Sequence, residues 1–126
     1  MNNLEEQLKK DIRALFLDLV KEEDERFDKP TKRKVYPQNH VYVYKAKELY
    51  KKALELEKIN SKYSTYELKD VIDDEVGLVD RHHYEYEKNS LIPKAKSVAE
   101  LQNLMHNASY HIKLYFYDVL EDIDID

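Results

Sequence analysis

The side chains in this sequence with the most chemistry to offer are histidines near its middle. His83 follows Asp80 by three residues, so on a helix the two share one face. If the helices on either side of Pro93 run antiparallel, positions whose numbers sum to roughly 186 face each other, and His106 comes opposite Asp80. Asp80, His83 and His106 then form a three-ligand set of the kind zinc or iron accepts, with Glu87 one turn beyond His83. A carboxylate di-iron bundle needs more: a Glu-x-x-His on each of two helices and two further glutamates. The chain has only the related Asp80-Arg-His-His83, once. Two histidines in ordinary polar contacts explain the same residues, and no metal or cofactor is expected.

Acid pairs raise a second chemistry. Helical nucleotide pyrophosphatases hold magnesium with Glu-x-x-Glu on one helix and Glu-x-x-Asp on the next. Glu22-Glu-Asp-Glu25 and Glu67-Leu-Lys-Asp70 have those shapes, but a whole helix intervenes between them. Acids at this spacing are also common on solvated faces. Cysteine is absent, which excludes a thiolate nucleophile, a disulfide frame and a thiolate zinc site. A single glycine excludes phosphate-cradling loops. No serine, histidine and aspartate stand in a triad context. The chain therefore reads as a non-enzymatic protein, with a metal-binding helical-bundle enzyme as one alternative.

Tyrosine is the more informative residue. There are eleven, beside three Phe and no Trp. A tyrosine can close a core with its ring while its hydroxyl stays wet, and it is also enriched at binding surfaces. Tyr84, Tyr110 and Tyr117 fall off, or at the edge of, the apolar stripes described below, and Tyr84 and Tyr86 bracket Glu85. These four residues are the expected partner-binding face, serving a protein partner or self-association. The function expected is that of an accessory, inhibitor, immunity or adaptor type of protein. Wide bundle stripes that absorb the same rings are the alternative.

A second alternative comes from charge. Residues 29–47 hold six basic residues and no acidic one. Lys32, Arg33 and Lys34 are their densest run and the candidate anion or nucleic-acid site. The formal net charge of −5 argues against general nucleic-acid binding. Glu22, Glu23, Asp24 and Glu25 close the preceding helix and partly neutralise that end.

The elements that must position these residues are helical. One glycine and three prolines in 126 residues cannot supply the turns of an all-β protein. Hydrophobic residues at 42% argue against disorder despite 37% charge. Helices are expected at about 3–27, 39–60, 65–88 and 98–121, followed by an acidic tail at 122–126. The stripes carry Leu8, Ile12, Phe16 and Leu19; Tyr42, Ala46, Leu49 and Ala53; Leu68, Ile72, Val76 and Val79; and Leu101, Met105, Ile112 and Phe116. Leu4 is counted on the first stripe. Ser64-Thr-Tyr-Glu67 and Ser97-Val-Ala-Glu100 read as capping boxes that start the third and fourth helices. Gly77 interrupts the third and suggests a kink or a close helix approach. Val41-Tyr-Val-Tyr44 has high β propensity, so a short hairpin or irregular segment at 29–44 competes with the start of the second helix. The prediction is a single-domain, up-down-up-down four-helix bundle. No long apolar run and no basic, apolar leader is present, which points to the cytoplasm without membrane contact.

Overall fold

A computed structural model of the chain describes residues 3–27, 40–81 and 94–120. Among the described residues the protein is all-α, with four helices and no strand. Helix α1 is Asn3–Phe27 and α2 is His40–Ile59. Helix α3 has three parts: α-helical Tyr66–Asp70, a π-helical stretch Val71–Val76, and α-helix again over 77–81. Helix α4 is Lys94–Val119. No helix among the described residues is long and apolar enough to cross a membrane.

The predicted stripes are the observed core. Ile12, Leu19, Tyr42, Leu49, Leu68, Val76, Met105 and Ile112 are all buried. Each large apolar side chain removed from water stabilises the fold by about 1.5–3 kcal/mol before entropy is counted. Leu4, in the first turn of α1, is exposed. Direction along the helices is visible in cross-helix contacts. Lys45 pairs with Glu22 at 3.8 Å and Lys52 with Asp11 at 3.9 Å, so numbers rise along α2 as they fall along α1. Phe16 and Phe116 meet edge to face with ring centroids 4.9 Å apart, which brings α4 against α1. The π-helical stretch packs on α4 and on α2. The two ion pairs make α1 and α2 antiparallel.

The start of α2 settles one expectation. Val41–Tyr44 is helical, not a strand, because Tyr42 and Val43 bury their side chains in the core and packing overrides local propensity. Residues 29–39 lie outside the described residues. Tyr42 also carries a polar tie: its hydroxyl donates to the Met105 carbonyl at 2.8 Å and stands 2.6 Å from Ser109 Oγ. A phenol has one proton, and a carbonyl can only accept, so Ser109 is the donor of the second bond.

Both capping boxes need correction. At the α2–α3 turn the N-cap is Thr65, with no side-chain cap bond. Ser64 Oγ accepts from the Tyr66 amide, two residues on, at 3.3 Å. The Thr65 amide is held by Glu57 of α2 at 2.7 Å, so a carboxylate from the preceding helix, not the local motif, satisfies the N-cap amide. For α4, the helix already begins at Lys94, directly after Pro93, and Ser97 lies inside it. Proline is favoured at helix starts, and an interior serine costs only a few tenths of a kcal/mol, roughly, so the helix extends past the motif.

The same turn contains a residue that no stripe contains. Tyr63 is buried although it lies between helices. Its hydroxyl donates to Glu5 Oε1 of α1 at 2.8 Å, and its ring lies under Lys9 and Lys62, each 4.9 Å from the centroid. Those contacts fasten the turn to the start of α1.

Candidate functional site

The candidate site is the outer face of α4. Helical spacing places every fourth and seventh residue on one side of the cylinder. The inner side is filled by Met105, Ala108, Ile112, Tyr115 and Phe116, all buried. On the opposite side Tyr110, Leu114 and Tyr117 follow at i, i+4 and i+7, and are 55%, 37% and 44% exposed. A helix in contact with the rest of the fold on one side thus shows a second, shorter apolar stripe on the other.

Neighbouring groups hold this stripe in place. The Lys113 ammonium lies 5.7 Å from the centroid of the Tyr117 ring, a cation–π contact. The Tyr110 ring meets His111 edge to face at 5.5 Å. His111 in turn reaches across to α3, where Nδ1 stands 2.5 Å from Glu75 Oε1. A carboxylate oxygen accepts, so the imidazole Nδ1–H is the donor. Glu75 belongs to the π-helical stretch, and such wide turns are frequent beside functional surfaces. Leu78, one turn beyond Glu75, is a further exposed apolar side chain on α3.

The four predicted interface tyrosines divide cleanly. Tyr110 and Tyr117 are exposed on one face, as their spacing required. Tyr84 and Tyr86 lie outside the described residues. Leu114 and His111 complete the face and were missed. The i, i+4, i+7 spacing of Tyr110, Leu114 and Tyr117 was available in the sequence as their signal.

Of the proposed metal set, Asp80 and His106 are both exposed, and His83 and Glu87 lie outside the described residues. Among the described residues, no three or more His, Cys, Asp or Glu are grouped to hold a metal ion. The polar contact between α3 and α4 that the structure does show in this region is the one between Glu75 and His111. Lys32, Arg33 and Lys34 lie outside the described residues. Of the same basic stretch, Lys47 is exposed, and Lys45 is tied to Glu22 as the acids closing α1 led one to expect. No family model matches the sequence, and no curated protein or solved structure is significantly similar to it.

Proposed function

We propose that this chain is a small, non-enzymatic interaction protein that docks on a protein partner, or on itself, through the Tyr110–Leu114–Tyr117 face of α4. One observation carries the reading. Three large side chains stay exposed at helical spacing on a helix whose other side already closes the core. Tyrosine suits the task because it offers a large ring at low entropic cost and a hydroxyl that can bond either way. The surrounding groups support it: Lys113 and His111 limit the freedom of both rings before any partner arrives. The cytoplasm is the compartment this reading assigns, in keeping with the lack of cysteine.

The test is a paired substitution, Tyr110→Ala with Tyr117→Ala. Both side chains lie outside the core, so helical circular dichroism should be retained. Loss of two central tyrosine anchors should weaken association by a factor on the order of 30 or more. Sizing over a wide concentration range, and binding to a captured partner, read the effect. Association that survives the double substitution overturns the proposal, as does a wild-type chain that neither self-associates nor binds any protein.

A further inference from the structure

The outer face of α4 has a counterpart on α2. Tyr44 is 65% exposed there, and Lys47, Lys51 and Lys58 are exposed after it. Their spacing keeps all four on one side of the helix. Glu55 is the one exposed acid among the described side chains of α2. The outer side of α2 is therefore an aromatic ring followed by a row of ammonium groups. The α4 face has the opposite sign along its border. Asp118 is exposed, four residues beyond Leu114 and next to Tyr117 in the chain. The adjoining α3, tied to α4 through Glu75 and His111, exposes five acids, Asp73 and Asp74 among them, against two bases, Lys69 and Arg81. Lys113 of α4 is half-buried and lies over the Tyr117 ring.

The two surfaces look away from each other. Helices α2 and α4 meet by their inner sides, where the Tyr42 hydroxyl donates to the Met105 carbonyl. Lys51 follows Tyr42 by nine residues, which turns it about 180° from that contact. Tyr110 follows Met105 by five, which turns it about 140°. One molecule cannot bring its own two surfaces together, so a contact between them joins two copies.

Building on the α4 face as an interface, we propose that its occupant is the Tyr44–Lys47–Lys51 side of α2 from a second copy of this chain. Lysine stems lay apolar carbon on Leu114 and the two tyrosine rings, while their ammonium heads reach Asp118 and the acids of α3. A lysine over a tyrosine ring is a contact this fold already makes, between Lys113 and Tyr117. Two α4 faces have no such match. Packed with α4 antiparallel, they lay the acidic border on its own image, and like charges repel. The contact is heterologous: each copy in it keeps one surface open, so assembly runs head to tail and ends as a ring or a filament.

Sedimentation of the full chain over a wide concentration range decides it, with two blocked variants. Lys47→Glu with Lys51→Glu reverses the α2 stripe, and Tyr110→Ala with Tyr117→Ala removes the α4 anchors. All four side chains are exposed, and circular dichroism checks that both variants stay helical. Wild type should grow with concentration, and less so as salt rises, because salt screens exposed charges. Each variant alone should self-associate about tenfold more weakly, or worse. Mixed in equal amounts, the two variants should form a dimer and nothing larger. The intact α4 face of the lysine variant then takes the intact α2 stripe of the tyrosine variant. A lysine variant that self-associates like wild type, or a mixture that does not pair, overturns the proposal. A monomeric wild type that binds another protein through Tyr110 and Tyr117 overturns it too, and leaves the α4 face an interface. Self-association untouched by the tyrosine substitutions overturns both.

Discussion

The two sides of α4 put the same kind of residue to opposite uses. Tyr115 faces inward beside Phe116 and is buried, while Tyr117, two positions on, is 44% exposed. Two residues along a helix turn the side chain by about 200°, so the change of environment follows from geometry alone. Composition had flagged tyrosine as a core former and an interface former at once. Spacing separates the two: Tyr115 falls in line with Ile112 and Phe116, and Tyr110 and Tyr117 fall in line with Leu114. The inner face holds the fold together, and the outer face adds little to it.

The sharpest test of that contrast is Phe116→Ala against Tyr117→Ala. Phe116 is buried and packs edge to face on Phe16 across the helix pair. Its truncation removes apolar burial and leaves a cavity, at about 3–5 kcal/mol. That is a large share of the stability of any domain. Tyr117→Ala should change stability by only about 0.5–1 kcal/mol, the worth of an exposed ring and its Lys113 contact. Urea unfolding of both variants measures the pair. Similar losses in the two would erase the distinction between the faces.

A smaller effect tests how polar atoms are treated on the inner side. Tyr42→Phe keeps the ring and deletes the hydroxyl that joins α2 to Met105 and Ser109 of α4. The Ser109 hydroxyl can turn back to the Met105 carbonyl, four residues earlier in its own helix, which softens the loss. The expected cost is about 1–2 kcal/mol in urea unfolding. Tyr110→Phe, on the outer side, should cost nothing measurable. Equal effects from both would mean that the Tyr42 bonds contribute no net stability.

Legibility in the sequence followed the length scale of the signal. Leu8, Ile12 and Phe16, or Leu101, Met105 and Ile112, repeat through several turns, and the repeat alone placed them in the core. Tyr63 and Glu57 could not be placed that way. Tyr63 lies in a turn, where no period applies, and its burial depends on Glu5 and Lys9, more than fifty residues earlier. The capping motifs failed for a related reason. A local pattern states which bonds a segment could make with itself, and here Glu57 from another helix holds the Thr65 amide that opens the turn. The candidate face was half legible: Tyr110 and Tyr117 were named, while His111 depended on the partner it finds in Glu75 across the helix pair.

Gly77 offers a small effect of the opposite sign. From sequence, a lone glycine inside α3 suggests a kink or a neighbour too close for a side chain. The structure shows neither cause at that residue. Its backbone is ordinary right-handed helix, with φ −59° and ψ −38°. A Cβ built there would meet only the Ile72 carbonyl oxygen, at 3.9 Å, an ordinary van der Waals distance. The irregularity lies just upstream, in the π-helical Val71–Val76 that presents Glu75 to α4. Glycine therefore costs helix stability without a steric return, because it loses more backbone freedom on folding than alanine. Gly77→Ala should raise stability by about 0.5–1 kcal/mol, seen as a higher urea midpoint with an unchanged slope. A loss instead would mean that the π-helical stretch needs the freedom of the glycine beside it. In that case the outer face of α4, held through His111 and Glu75, would depend on the π-helical segment of α3 rather than on spacing alone.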